Sequence, residues 1–274
     1  MKTLHIDTGR EMRGGQWQVL YLVERLRDAK LYARANSPLA AEARRRGIES
    51  GSLLESADLV HAHDARAHTL AAILGRKPLV VSRRVAFPIR TSLLSRQKYL
   101  RAAMYIAISK FVARRLQDAG VAAERIRVVY DGVPIPPEAS TLEPGRVVAL
   151  ASKPVEIPGV ELHLTANLWQ DLSTASIFIY ASEMEGLGSA ALAAMAAGVP
   201  VIASRVGGLS EIVEHERTGL LVDNQQFADA VRHLLANPSL GADMGRRGRE
   251  LVQQRFTVEH MVEHTRRVYE EVVG

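Results

Sequence analysis

Short apolar runs alternate with stretches of helical spacing along this 274-residue chain, and that alternation restricts what it can fold into. Leu4–Ile6, Ala57–His63, Pro78–Ser82, Tyr105–Ser109 and Ile126–Tyr130 read as buried strands. Between them, Trp17–Leu26 places Val19, Leu20, Val23 and Leu26 on one side of a helix, and Ala65–Leu74, Leu93–Ala103 and Lys110–Ala119 are also helical. Strands separated by helices pair in parallel through crossover connections. Ligands on such sheets sit beyond the carboxyl ends of the strands. His63, Ser82-Arg83-Arg84 and Ser109 all fall there. The loop Thr8–Gly15 ends in Gly14-Gly15, a candidate cradle for phosphate or sugar, although glycines in a first turn are also explained by geometry alone.

The pattern restarts in the second half with strands at Val147–Ala151, Val160–Leu164, Ile177–Tyr180 and Val201–Ala203, and closing helices at Phe227–Leu235, Met244–Gln254 and Val258–Val273. Between the halves, Asp131–Pro144 carries Pro134, Pro136, Pro137 and Pro144 without periodicity and reads as a linker. Charge divides near the same place. Residues 1–140 carry 24 Lys and Arg against 13 Asp and Glu, whereas residues 141–274 carry 11 against 17. That asymmetry supports two domains with different partners. A basic half suits phosphate-bearing substrates or an anionic membrane surface, or is simply a solvated face. Nucleic acid is disfavoured, because the basic residues lack interleaved aromatics or a known binding module. There is no cysteine, which excludes disulfides, thiolate catalysis and Cys-ligated zinc. The N-terminus MKTLHIDTGR is too short and polar for a signal peptide, and no run of about 18 apolar residues is present to span a membrane. The expected location is therefore cytoplasmic.

Chemistry concentrates between Ala181 and Val222. Glu185-Gly186-Leu187-Gly188 precede a small-residue helical run that starts at Ser189. A Gly-Val-Pro stop, a short apolar strand and a second glycine turn, Gly207-Gly208, follow, with Glu211 three residues on. Glycines sit where a backbone must turn or approach a ligand closely, and helix N-termini direct free N–H groups at anions.

In combination, EGLG at 185–188, AAMAAGVPVIAS at 193–204, GGLSEIV at 207–213 and TGLLV at 218–222 resemble the donor-binding half of a retaining glycosyltransferase of family 4. Weaker agreement comes from Gly14-Gly15, VHAH at 60–63, AISKFVARRL at 107–116 and RIRVVYDGV at 125–133. The resemblance implies the α/β GT-B fold, two Rossmann-like domains with parallel sheets facing across a cleft. It places an acceptor domain at 1–133, a linker at 134–145, a nucleotide-sugar donor domain at 146–257 and a C-terminal helix, 258–274, crossing back to the first domain. The implied reaction moves a sugar from a nucleotide-sugar donor to an acceptor hydroxyl with retention. The implied acceptor is a glycan or glycolipid of the cell envelope, such as lipopolysaccharide. No metal or other cofactor is expected, because helix N-termini and basic side chains meet the leaving charge. Peripheral contact with the inner, anionic face of the membrane is also expected.

Site residues follow from the same resemblance. Glu185 matches the first glutamate of an E-x7-E motif and would touch the donor sugar or its leaving group, although a carboxylate at a helix start is also favoured by the dipole. Gly14, Gly15, Gly186, Leu187, Gly188, Ser189, Gly207, Gly208 and Glu211 would complete the donor site, and His63 matches the histidine placed near the transferred sugar. Two departures stand out. The second glutamate position holds Ala193, which leaves the ribose grip to another group such as Ser189. The Arg and Lys expected after the first strand of the second domain are reduced to Lys153, and roughly a helix–strand–helix section is missing before the Val160 strand, so this domain is truncated. Arg83 and Arg84 are candidates to hold phosphate or acceptor instead. His61, His63 and Asp64 lack a third metal ligand at strand or helix spacing. Ile89–Arg101 mixes leucines with Arg90, Arg96, Lys98 and Arg101, which suits an anionic membrane or ordinary amphipathic packing. Two other functions fit: a non-catalytic sugar-nucleotide-binding partner subunit, favoured by Ala193, and a sugar-nucleotide 2-epimerase of the same fold.

Overall fold

The alternation becomes two all-parallel sheets. The first contains β1 (Thr3–Asp7), β2 (Ala29–Ala33), β3 (Leu59–Ala62), β4 (Leu79–Arg83), β5 (Met104–Ala107) and β6 (Ile126–Val128), side by side as β2-β1-β3-β4-β5-β6. Helices α1 (Gly14–Val23), α2 (Pro38–Arg45), α3 (Ala65–Ile73), α4 (Leu93–Leu100) and α5 (Lys110–Asp118) follow the first five strands in turn. The computed structural model describes residues 1–75, 78–85, 93–150, 152 and 155–274, with side chains of the α4 helix from residue 97 onward. These residues divide into two compact units, 1–131 with 258–274, and 132–257.

The second sheet contains β7 (Val147–Leu150), β8 (Leu162–Thr165), β9 (Ile177–Tyr180), β10 (Val201–Ser204) and β11 (Gly219–Val222), ordered β11-β10-β9-β7-β8. Its helices are α6 (Leu168–Leu172), α7 (Ser189–Ala196), α8 (Leu209–Ile212), α9 (Phe227–Ala236) and α10 (Pro238–Arg255). The proline-bearing segment 134–145 lies in this unit. Ser140 donates to the carbonyl of Ala197 at 2.7 Å, Thr141 to Ser173 at 3.0 Å and Glu143 to Thr174 at 2.9 Å.

The last helix, α11 (Val258–Val273), belongs to the first unit. Val258, Met261, Val262, Val268 and Tyr269 form its apolar stripe and pack with Tyr21 and Leu22 of α1 on Leu59, Val80, Met104 and Ile106 of the sheet. Side chains two apart on a strand share a face, so this covered face also receives His5, His61 and Ser82. Among the described residues, no helix is long and apolar enough to cross a membrane.

Several elements exceed the sequence pattern. The edge strand β2 buries only Leu31 fully and so carries no apolar run, and α2 follows it with Ser37 as its N-cap, accepting from Ala40 N–H at 3.2 Å. The TGLLV motif forms β11. Helix α1 begins at Gly14, three residues before its apolar spacing, because Gln16 caps it by accepting the Arg13 N–H at 3.2 Å.

The connection from β7 to β8 has no helix among its described residues. Ile157, 5% exposed, plugs the core formed by Val147, Ala149, Ile177 and Ile179, and Val155 and Val160 pack against the same cluster. Three loop side chains thus cover the sheet face that a crossover helix ordinarily covers. Ile157→Ala should therefore cost roughly 2–5 kcal/mol by deleting buried methylenes. Leu164→Ala, at a side chain 47% exposed on the edge strand β8, should change stability by less than about 0.5 kcal/mol. Urea unfolding of both variants measures the contrast.

Candidate functional site

Each sheet reverses its strand order once. In the first, the chain steps from β1 outward to β2 and returns on the other side of β1 as β3; in the second, it steps from β7 to β8 and returns as β9. The loops leaving the carboxyl ends of β1 and β3, and of β7 and β9, diverge there, and such switch points are where open α/β sheets hold ligands.

In the second unit, the loop after β9 carries Glu185. The Tyr180 hydroxyl, on the last residue of β9, donates to Glu185 Oε2 at 2.7 Å, and the Gly186 N–H donates to Oε1 at 3.1 Å. Burial, and then the neighbouring carboxylate, pushes the Tyr180 hydroxyl well above its ordinary value, so it stays protonated as the donor. Leu187 is fully buried and anchors the loop, so any ligand contact it makes comes through its backbone. Gly188 takes φ +102° as it enters α7, a region that side-chain-bearing residues avoid. Ser189 begins α7, where the first-turn N–H groups lack intrahelical partners.

The second glycine turn docks onto that loop. The Gly208 N–H donates to the Glu185 carbonyl at 3.1 Å. A Cβ on Gly207 would overlap the carbonyl oxygen of Glu185, and one on Gly208 would overlap that of Gly186. Ser204 Oγ accepts the Ser182 N–H at 2.9 Å and ties the two loops again. Glu211 lies half-exposed in the first turn of α8. Ala193 faces inward from α7 with 2% exposure. Lys153 lies outside the described residues.

In the first unit, His63 and Asp64 follow β3. Asp64 caps α3 by accepting the Arg66 and Ala67 N–H groups at 2.8 and 3.0 Å. It also accepts the Thr8 N–H at 2.5 Å and the Thr8 hydroxyl at 2.9 Å, which binds the β1 loop to the β3 loop. Asp7 accepts the Gly9 N–H at 2.8 Å and the Gln16 amide at 3.1 Å. Burial raises the Asp7 carboxyl, while the Gly9 bond pulls it back.

The two arginines diverge, as successive strand residues do. Arg84 pairs with Asp131 in a largely buried ion pair, its stem running over Gly15, and its charge reaches His61, His63 and Asp7. The charge of Arg83 instead reaches His68 and Tyr99 on the other face. The structure thus brings His63, Arg84 and Gly15 into one locality and leaves Arg83 out of it. Gly14 is exposed at the start of α1.

His63 stands in a cluster invisible to sequence spacing. Register sets His5 of β1 opposite His61 of β3, with His63 two residues further on. His5 Nδ1 meets His63 Nε2 at 2.9 Å, and His5 Nε2 meets the Thr3 hydroxyl at 3.2 Å. His61 Nδ1 meets the Tyr269 hydroxyl at 2.6 Å, and His61 Nε2 meets the Ser82 hydroxyl at 2.8 Å. His63 Nδ1 is buried with no partner among the described residues. Nitrogens of the three rings lie within 4.8 Å of one another, close enough for a metal. Every ring nitrogen except His63 Nδ1 is already hydrogen-bonded, however, so a cation would have to displace those bonds. The sequence holds one signal for this group, a histidine two residues before the strand-end Asp7, but strand pairing was needed to read it.

Burial lowers His5 to about 3, and His61 and His63 fall well below their ordinary value, burial first and neighbouring rings and Arg84 after. All three are neutral in the folded protein near pH 7. An unfolded histidine takes up a proton near pH 6.5, so below that pH the unfolded chain binds more protons than the folded one. Stability from this cluster is complete above pH 7.5 and falls as pH drops through 6.5, by roughly 1.4 kcal/mol per histidine at pH 5.5. Urea unfolding at pH 7.5 and 5.5 should show the loss, and His5→Leu should reduce the slope by one histidine's share.

Gly207→Ala supplies a second expectation. The φ of +53° and the overlap with the Glu185 carbonyl should together cost about 2 kcal/mol or more, read as a lowered thermal midpoint.

Residues 12–135 match the family described as Glycosyltransferase Family 4, and residues 159–251 match that described as Glycosyl transferases group 1. The alpha-maltose-1-phosphate synthase of Mycolicibacterium smegmatis is 34% identical over 185 residues, 60% of this chain and 48% of that protein. The GDP-mannose-dependent alpha-(1-6)-phosphatidylinositol monomannoside mannosyltransferase of Mycobacterium tuberculosis is 49% identical over 73 residues, 26% of this chain and 19% of that one. The match thus takes in less than half the length of either curated relative. Among solved structures, Anabaena HepE in complex with UDP-glucose superposes with a TM-score of 0.85 at 18% identity, over 99% of this chain and 100% of that one. With two parallel α/β units, the ordered glycine motifs of its second half and family matches over most of its length, this chain belongs to glycosyltransferase family 4, with the GT-B fold in a shortened form.

Proposed function

We propose that the protein transfers a sugar from a nucleoside-diphosphate sugar to an acceptor hydroxyl, with retention at the anomeric carbon. The observation that carries this reading is Glu185, held by Tyr180 and Gly186 at the switch point of the second sheet, beside the first turn of α7. In the reaction, the acceptor oxygen bonds to the anomeric carbon as the bond from that carbon to the diphosphate oxygen breaks. The acceptor proton leaves with the diphosphate. Negative charge grows on the leaving oxygens, and α7's unpaired N–H groups suit it. Lys153, which follows β7 in the sequence, is the basic candidate. No metal is required by this assignment. His63, whose Nδ1 has no partner among the described residues, is the candidate contact to a sugar hydroxyl from the first unit.

The acceptor class we favour is a glycan or glycolipid of the cell envelope, supported by the basic first half of the chain. Ala193 favours one second reading, a partner subunit that binds nucleotide sugar without turning it over.

Thermal-shift measurements against UDP-, GDP- and ADP-sugars test donor binding. A true donor at one hundred times its Kd should stabilise the fold by about 2.7 kcal/mol. Glu185→Gln, at a half-buried side chain, should keep the unfolding midpoint within a few degrees and reduce nucleotide release at least about 100-fold. Unchanged turnover in that variant refutes the role of Glu185. Donor binding without nucleotide release in the unmodified protein selects the partner-subunit reading.

A further inference from the structure

Two donors reach the carboxylate of Glu185, and they come from different parts of the fold. The Gly186 N–H belongs to the next residue, so its bond travels with the loop. The Tyr180 hydroxyl comes from the sheet. Tyr180 closes β9, where Ile179 pairs with Ala149 of β7 and Tyr180 itself with Ala203 of β10. It is 6% exposed, and its ring lies 6.3 Å from that of Phe178, two residues back on the same face. A packed strand residue holds its position more firmly than a loop residue does. The bond from Tyr180 to Oε2, at 2.7 Å, therefore fixes the loop carboxylate relative to the sheet.

That bond runs one way. A carboxylate only accepts, and a phenol held protonated by burial, and then by the carboxylate itself, donates to it. A carboxylate has about four acceptor positions, more than these two donors use. Glu185 is also half-exposed, so it can meet a ligand without releasing Tyr180. We propose that Tyr180 is a positioning residue for sugar transfer: its hydroxyl ties the Glu185 carboxylate to the sheet, so that the carboxylate meets the donor sugar in the orientation the reaction needs. This rests on the reading of Glu185 as a contact to the donor. Without the hydroxyl the carboxylate is still present but turns with its loop, and small misplacements of a reacting constellation are costly in rate. Tyr180 reaches the reaction through Glu185, so the hold on the nucleoside diphosphate is left as it was. The loss therefore falls on kcat and leaves KM for the donor nearly unchanged.

Tyr180→Phe removes one oxygen and keeps the ring. Its thermal midpoint should stay within a few degrees, because water can reach the half-exposed carboxylate in place of the hydroxyl. Nucleotide release should show kcat reduced about tenfold, with KM for the donor within about twofold. A double-mutant cycle with Glu185→Ala separates positioning from packing. Single-turnover measurements, with enzyme in excess, keep the slow variants readable. If Tyr180 acts through Glu185, adding Tyr180→Phe to Glu185→Ala should change the rate no further. A further loss by the same factor in that background makes the tyrosine a packing residue and overturns the proposal. A midpoint lowered by more than about ten degrees in Tyr180→Phe does the same. Unmodified kcat in Tyr180→Phe, with Glu185→Ala slow, overturns the proposal and leaves the reading of Glu185 standing. Unmodified turnover in Glu185→Ala instead refutes that reading, and the proposal with it.

Discussion

The carbonyl oxygens of Glu185 and Gly186 govern the carboxyl edge of the second sheet. Each receives a glycine so closely that no side chain fits between, and the Gly208 N–H bonds to one of them. The two loops are therefore one object, joined backbone to backbone. Glu185 takes its direction from that object and from Tyr180 beneath it. A carboxylate on a free loop would sample many rotamers; this one is held before any ligand arrives. The glycines of the second turn thus act on the site through shape, whatever anion they also meet.

The first unit solves a different problem. It places three imidazoles out of water on one face of a sheet and gives almost every ring nitrogen a partner. Unpaired polar groups at such depth are costly, so pairing is what lets the cluster exist. The final helix takes part through Tyr269, which ties the end of the chain to the strand that carries His61. The ion pair of Arg84 with Asp131 completes the edge, and both carboxylates near it, Asp7 and Asp64, are spent on loop N–H groups.

Much of this was legible in the sequence for a physical reason. Buried parallel strands are apolar on both faces, so Leu79–Arg83 and Ile177–Tyr180 announce themselves as runs. The edge strand β2 does not, since one side of it meets water. Glu185 and the glycine turns are neighbours in sequence and could be read as motifs. His5 and Asp131 could not, because their importance comes from pairing across strands or loops far apart along the chain. His63 was visible at a strand end; what surrounds it was not. The arginine pair illustrates the limit well. Arg83 and Arg84 are equivalent as letters, and only the folded chain at the end of β4 gives them different neighbours.

The helix-free crossover between β7 and β8 also bears on how the second unit assembles. Val147 pairs with Leu162, 15 residues away, whereas it pairs with Ile177 at 30. Phe178 and Val201 are 23 apart, and Val201 and Gly219 are 18 apart. Closing a shorter loop loses less chain entropy, by about 0.6 kcal/mol for each halving of length. The shortened connection therefore makes its own ladder the most local in the sheet, and Ile157 lies inside that loop, ready to cover it. In kinetic terms, a ladder closed across so short a loop lowers the mean sequence separation of contacts in this unit, which favours faster folding.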